Sequence, residues 1–333
     1  MKPPDPHESV MRLALGHVAS RAVYAFVHFR IADHLTEGMQ GVPELARISQ
    51  THERSLLRLL RASAALGLVN EETDGRFSLT PLGAALRTDA PRHASSAASA
   101  LGGSSMWSAF GQLLHSVQTG EPVFAKVGQS VFGEASAEMT TRMSETMTAF
   151  YGAEPAAIAG AYDFSGVRTL VDVGGNSGDL LTVILRAYPT LRGIVYDLPH
   201  VAPEAKRMIE RRGLGERCQV IGGSFFDNVP SGADAYMLSH VINDWPEEQC
   251  LAILRNIRRA ISLGGRLLVI EQMITAGSES DQAKFLDLIS LTTTGGMHRT
   301  PVEHGELLAK AGFRMTRLIS TQQPVSIIEG QLV

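Results

Sequence analysis

The residues of this chain best suited to chemistry are Asp172, Gly174, Gly175, Gly178 and Asp197. Glycines let backbone pass close to a ligand, and a helix that follows them offers unpaired N–H groups at its N-terminus. Asp197 lies nineteen residues past Gly178, at the end of an apolar run. A carboxylate so placed can accept hydrogen bonds from both hydroxyls of a ribose. The glycine register is not the Gly-x-Gly-x-x-Gly of dinucleotide sites, because Asn176 stands where that pattern requires glycine. Nor is it a phosphate loop, since no Gly-Lys-Ser/Thr follows. Asp172 ahead of the glycines points to an adenosyl ligand without phosphates, such as S-adenosylmethionine. An ordinary strand-to-helix turn with no ligand is the alternative reading of the motif alone.

Positioning these groups requires a strand, a turn and a helix in that order. Leu170, Val171 and Val173 form the short apolar strand. Leu180, Leu181, Val183, Ile184 and Leu185 recur as in a helix. The same alternation continues beyond residue 165. Strands are expected at 193–197, 218–221, 235–241 and 266–272. Helices are expected around Met208 and Ile209, from Pro246 through Leu251, Leu254, Ile257 and Ile261, and over 285–291 and 302–311. Glu247 and Glu248 suit a helix N-terminus, and Gly264-Gly265 ends that element. The tail reads as a hairpin, 314–320 with 325–332. Alternation of this kind means an α/β fold with a doubly wound, mainly parallel sheet. Ligands of such sheets bind at the strand C-terminal ends, where Gly174, Asp197, Ser224 and Ser239 all lie.

Residues 1–100 read differently. Val10, Leu13, Ala14, Val18, Ala22 and Val27 recur at helical spacing, with Tyr24, Phe26 and Phe29 adding aromatic bulk. One helix cannot bury so many apolar positions, so a partner subunit is expected. Helices over 42–48 and 53–66 follow, Gly67 is placed to cap the second, and two strands flank an Asp74-Gly75 turn. Helix, helix and hairpin make a winged-helix arrangement, which raises a DNA-binding regulator as a reading of a different class. Arg54, Arg58 and Arg61 line one side of the second helix. Glu44, Glu53, Glu71, Glu72 and Asp74 in the same stretch would repel phosphate. Residues 101–160 form a helical connector carrying Trp107, Phe110, Phe124, Phe132, Met139, Met143, Met147 and Phe150. Such a stripe serves either as core or as the wall of a cleft for a flat aromatic substrate. Residues 161–333 complete the expected division as the ligand-binding domain.

Composition agrees with an ordinary soluble globular protein. Of 333 residues, 44% are hydrophobic and 19% charged, and the net charge of −4 argues against nucleic acid as main partner. Two cysteines, Cys218 and Cys250, have no metal-ligand spacing and fit a reducing compartment. The N-terminus is no signal peptide, and no apolar run is read as a membrane span. A cytoplasmic protein without a metal is expected.

With these motifs in place, the chain resembles the S-adenosylmethionine-dependent small-molecule O-methyltransferases of caffeate and bacterial aromatic-polyketide type. The resemblance runs through Trp107…Thr119-Gly-Glu-Pro-Val-Phe124, the Asp-Val-Gly-Gly-x-x-Gly motif, Asp197-Leu-Pro and Asn243-Asp-Trp. It continues in Gly295-Gly-Met-His-Arg-Thr300, Ala311-Gly-Phe and Ile327-Ile-Glu329. It implies a class I, Rossmann-like catalytic domain, a winged-helix dimerisation domain and a homodimer that releases S-adenosylhomocysteine. Asp172, Gly174, Gly175 and Gly178 would approach the cofactor's amino-acid portion, and Asp197 with Leu198 the ribose. Ser224, Phe225 and Phe226 would meet the adenine, with Ser239 beside the cofactor. Trp107, Phe124, Met143, Met147, Asn243 and Met297 would face the substrate.

Three departures from the family pattern matter. Serine stands at 224 in place of aspartate. Asn243 replaces the family's histidine base, and an amide takes no proton near neutral pH. His298 stands where a glutamate normally orients that base, while Glu329 is read as the second orienting glutamate. A phenol ionises near about 10, so its proton must be taken or already lost when the methyl group arrives. Three routes are open: His298, oriented by Glu329, as a relocated base; His240 as base; or an acceptor that needs none, with Asn243 only positioning it. Transfer to nitrogen, or a non-methylating reaction in which the bound sulfonium serves electrostatically, are the alternative functions.

Overall fold

The computed structural model describes residues 5–36, 38–91, 94–126, 146–278 and 281–333. It divides into two compact units, one of Met1–Ser108 with Glu145–Gly152, the other of Ala109–Ser144 with Ala153–Val333. Residues 101–108 and 145–152 thus fall in the first unit, and 109–144 and 153–160 in the second.

The first unit opens with α1 (Pro6–Ala14), whose first turn is capped by the Asp5 carboxylate, and α2 (Gly16–His28). A single helix was expected; the chain instead turns at Leu15. α3 (Ile31–His34), α4 (Val42–Ile48) and α5 (Glu53–Ala65) follow. A small antiparallel sheet has the order β1 (Gln40–Gly41), β3 (Arg76–Leu79), β2 (Val69–Glu71). Gly67 leaves α5 at φ +76°, a conformation open to glycine without strain. Phe26, Leu45, Leu56, Leu60 and Phe77 make the buried centre. α6 (Pro81–Ala84), α7 (Ala94–Gly102) and α8 (Ser104–Phe110) complete the run. Val10, Met11, Leu13, Leu15 and Val18 remain exposed on α1 and α2. The helical stretch Pro6–His28 is long and apolar enough, by length and composition, to cross a membrane. This corrects the expectation that no run reaches that length. Arg61 is paired with Glu71 at 3.1 Å, while Arg54 and Arg58 are exposed.

The second unit contains α9 (Leu113–Thr119), α10 (Val123–Lys126) and α11 (Glu154–Ala161), then the large sheet. Its strands are β4 (Thr169–Val173), β5 (Arg192–Asp197), β6 (Cys218–Gly222), β7 (Ala235–Ser239), β8 (Arg266–Glu271), β9 (Phe313–Ser320) and β10 (Ser326–Leu332). The order is β6-β5-β4-β7-β8-β10-β9, with β4 to β8 parallel and β10 antiparallel to both neighbours. Helices α12 (Asp179–Ala187), α13 (Ala202–Arg211), α14 (Glu247–Ala260), α15 (Gln282–Thr293) and α16 (Pro301–Lys310) complete it.

Strand alternation feeds two cores. Ala235 and Met237 pack with Leu181, Ile184 and Leu185 on one face, and Tyr236 and Leu238 with Ile253, Leu254 and Ile257 on the other. Both faces are covered, as a parallel sheet requires. Each fully buried Leu or Ile contributes about 2 kcal/mol. α15 starts three residues before the expected 285, because the Asp281 carboxylate caps it by accepting the Ala283 N–H. α16 starts at a Thr300–Glu303 capping box. β7 ends two residues before the expected 241, because His240 adopts φ +52°.

Candidate active site

The glycine corner follows β4. Gly174 and Gly178 sit at φ +76° and +73°, and Asn176 at +48°. An added Cβ would lie 2.8 Å from Val241 at Gly174 and 2.8 Å from the Asp172 carboxyl at Gly175. Neighbouring side chains already fill the space a Cβ would take, so only glycine lets the backbone lie this close to them. At the tip of β5 the Asp197 carboxylate accepts the Asn176 N–H at 2.8 Å and the Leu198 N–H at 2.7 Å. These two bonds fix its direction and leave lone pairs for further donors. A ribose with two hydroxyls fits that arrangement, and the corner fits an adenosyl group.

Asp172 is fully buried behind the corner. Burial, and then the nearby charge of Asp197, push its carboxyl up to about 7. A carboxyl raised in the folded state above its ordinary 3.8 stabilises the fold below that value, and this contribution is lost as pH rises through about 7. Asp172→Asn is therefore expected to flatten the fall in stability between about pH 4 and 7, by at most on the order of 4 kcal/mol. Urea unfolding at several pH values checks it; an unaltered slope would count against the assignment.

Beyond β6, the Ser224 hydroxyl accepts the Phe226 N–H at 3.2 Å. Phe225, Phe226 and Trp245 meet edge to face, with ring centroids 4.8–5.9 Å apart. Asn256 of α14 donates to the carbonyls of Phe225 and Phe226 at 2.8 and 2.9 Å and so holds that loop. Ser239 is half-buried at the end of β7.

A buried polar centre lies past β7 and β8. His240 Nε2 is 2.6 Å from Glu154 Oε2, and its Nδ1 is 3.8 Å from Glu271 Oε2. Burial alone would lower this imidazole, but Glu154, Glu271 and Asp244 raise it. Glu271 Oε1 accepts the N–H groups of Ile242 and Asn243 at 3.0 and 3.3 Å. Burial pushes Glu271 up to about 7 against the pull of His240, these N–H groups and Arg299. The Asn243 amide lies 3.0 Å from Glu271 Oε2 and 3.3 Å from His298 Nε2. His298 Nδ1 is 3.1 Å from the Gln272 carbonyl, and its backbone N–H donates to Asp287 at 2.7 Å. Burial depresses this imidazole. Arg299, 2% exposed, donates to the carbonyls of Ile242 and Met297.

The structure brings Asn243 and His298 together and leaves Glu329 elsewhere. The expected orientation of His298 by Glu329 is corrected: Glu329 accepts from Tyr162 at 2.6 Å and Thr316 at 2.7 Å. The register explains it. Glu329 pairs with Leu268 on β8, three residues short of Glu271, which is about 10 Å along a strand. The carboxylate at the site is Glu271, which sequence reasoning missed. Its signal was present, as the last residue of an apolar parallel strand. Glu154 was missed with no local signal at all. His240, one of the three routes considered for the proton and the alternative to a structural histidine at that strand tip, has a side chain 9% exposed and engaged with Glu154.

The expected substrate wall is distributed. Trp107, with the Arg21 guanidinium 4.8 Å over its ring, and half-buried Met147 belong to the first unit. Phe124, on α10, and Met297, 40% exposed, belong to the second. Met143, Phe132 and Met139 lie outside the described residues. Among the described residues no group of His, Cys, Asp and Glu is arranged to hold a metal ion.

The O-methyltransferase domain model matches residues 110–314, and the O-methyltransferase dimerisation domain model matches residues 11–89. A phenazine O-methyltransferase of Lysobacter antibioticus is 36% identical over 97% of this chain and 95% of its own. A mitomycin biosynthesis 6-O-methyltransferase of Streptomyces lavendulae is 35% identical over 97% of this chain and 93% of its own. A crystal structure of an O-methyltransferase from neocarzinostatin biosynthesis, in complex with S-adenosylmethionine and 2-hydroxy-5-methyl naphthoic acid, superposes with a TM-score of 0.84. It is 34% identical, over 94% of this chain and 96% of that one.

Proposed function

Because the chain belongs to the O-methyltransferase family and is an S-adenosylmethionine-dependent O-methyltransferase with a dimerisation domain, we propose that its acceptor is a hydroxyl on a flat aromatic specialised metabolite of phenazine or polyketide type. The relatives' substrates support this class. We further propose a cytoplasmic homodimer, for which the exposed apolar face of α1 and α2 and two free, buried cysteines speak.

The observation that supports the reading is that a carboxylate oriented by two backbone N–H groups and a buried amide lie at the C-terminal ends of one parallel sheet. Asp197 lies at the tip of β5, and Asn243 just beyond β7. The cofactor supplies a methyl group already activated on a sulfonium. Asp197 holds the ribose hydroxyls, the glycine corner lets the backbone close on the amino-acid portion, and Phe225 with Ser224 meets the adenine. Asn243 hydrogen-bonds the acceptor oxygen and aligns it; alignment is the main contribution of such a site. Asn243 takes no proton, and the imidazoles of His298 and His240 are engaged with Asn243 and Glu154, which favours an acceptor that ionises by itself.

The test is transfer of labelled methyl to a graded set of hydroxynaphthoates, hydroxyphenazines, simple phenols and aromatic amines. At about pH 7.5 an acceptor ionising near 7 should outpace one ionising near 10 by roughly 200-fold, following the ionised fractions. Preferred labelling of amines would establish N-methylation instead. Tight cofactor binding with no transfer anywhere would favour the non-methylating reading. Salt-sensitive DNA binding in place of both would favour the regulator.

A further inference from the structure

An amide side chain has one donor end and one acceptor end. The amide of Asn243 stands between Glu271 Oε2, at 3.0 Å, and His298 Nε2, at 3.3 Å. His298 Nδ1 faces the Gln272 carbonyl at 3.1 Å, so Nδ1 carries a hydrogen. A neutral His298 then offers a bare Nε2, which only accepts. An ionised Glu271 also only accepts. The amide would thus meet acceptors at both ends and could satisfy one, leaving the other end mismatched in a dry interior.

One added proton resolves the conflict, and it has two possible seats. On His298 Nε2, it donates to the amide oxygen while the amide nitrogen donates to Glu271. On Glu271 it must sit on Oε2, because Oε1 already accepts two backbone N–H groups. The amide oxygen then accepts from Glu271 and the amide nitrogen donates to His298. The two arrangements contain the same atoms and protons. Passing between them breaks an O–H bond at Oε2, forms an N–H bond at Nε2 and turns the amide over. A second proton would place donors at both ends and recreate the mismatch.

We propose that Glu271, Asn243 and His298 jointly hold one proton across neutral pH, its seat set by the orientation of the Asn243 amide. The surrounding charges pull in both directions. His240, itself 2.6 Å from Glu154, and Arg299 favour an ionised Glu271. Asp244, pushed up to about 8 by burial and then by Glu271, opposes it only when ionised, and its Oδ1 lies 3.5 Å from the amide end that faces His298. Asp287 favours the imidazolium, while His240 and Arg299 oppose it; His304 of α16 feels the charge of His298 in turn. The inference rests on the proposed acceptor reading for its meaning: a trio that resists both gaining and losing a proton is not the base. The acceptor's proton leaves to solvent, and Asn243 is a positioning residue held by its two neighbours.

The test needs no methyl transfer, so failure of the shared proton and failure of the assigned reaction are told apart. The full chain, labelled with 15N-histidine, is followed by NMR between about pH 5.5 and 8.5, with His298 assigned by His298→Gln. The Nε2 signal is expected to stay level with pH, between the protonated and bare values. Coupling of this kind spreads the ionisations apart. In Glu271→Gln the two backbone N–H groups hold the Gln oxygen, so its amide nitrogen must face Asn243. His298 Nε2 then moves to the bare value. In Asn243→Leu the link is gone, and adding Glu271→Gln should leave Nε2 where it was. A wild-type Nε2 that swings fully through a single step, or rests at the bare value with and without Glu271→Gln, overturns the proposal. So does an equal response to Glu271→Gln in both backgrounds. The wild-type titration alone decides if either variant fails to fold.

Discussion

Replacing Asp197 with alanine is expected to weaken S-adenosylmethionine binding at least 100-fold in calorimetry. Hydrogen bonds to a charged acceptor contribute about 1.5–3 kcal/mol each. Two ribose hydroxyls lost together therefore cost about 3 kcal/mol or more, which is roughly 100-fold or more in affinity. The substitution also strips the Asn176 and Leu198 N–H groups of their acceptor. Asn176 is held at φ +48°, so the glycine corner loses one of its restraints as well. Asp197→Asn keeps the shape and half the acceptors, and should fall between alanine and wild type. A loss below about fivefold for alanine, with the fold intact, would move the ribose elsewhere.

The second large effect is expected at a position with no chemistry of its own. A Cβ on Gly296 would lie 2.1 Å from the Asn243 carbonyl oxygen, 2.5 Å from the Asp244 carbonyl carbon and 2.7 Å from the Trp245 nitrogen. All three atoms are backbone, so none can swing aside as a side chain would. In Gly296→Ala the loop that carries His298 must retreat from Asn243. Overpacking of this kind costs about 3 kcal/mol in stability, and misplacing the acceptor should lower turnover at least roughly 10-fold. Cofactor affinity should change little, because the corner after β4 and the tip of β5 are not displaced. Gly160→Ala, where an added Cβ meets nothing within 4 Å, serves as the neutral control. Turnover unaltered in Gly296→Ala, measured with the preferred acceptor, would show that the contact between this loop and Asn243 is dispensable.

Local features of the chain were legible wherever one short segment carries them. The glycine corner and Asp197 were readable because strand, turn and acidic tip are encoded within some thirty residues of one another. The alternation of strands and helices likewise announced the parallel sheet. β1, with two residues, is too short to leave a periodic trace, and the turn at Leu15 interrupts an apolar pattern that continues across it. Glu329 and Glu271 differ in another way. Both are glutamates that end apolar stretches, and only strand register distinguishes the one beside Asn243 from the one beside Tyr162. Glu154 lies 86 residues from His240 in sequence. Nothing local marks it, because its role depends on how α11 packs against the sheet.

Strand order has a consequence for the order of synthesis. β10 lies between β8 and β9, although it follows both in the chain. A nascent chain that has emerged only as far as β9 holds β8 with one edge unpaired, and β9 has no neighbour to join. Such an edge invites mispairing with other chains. β8 carries Glu271, so the strand that presents this carboxylate gains its second neighbour only once β10 has emerged. The setting of Glu271 beside Asn243 thus waits for β10, and a chain halted before that strand would lack this support and be prone to associate.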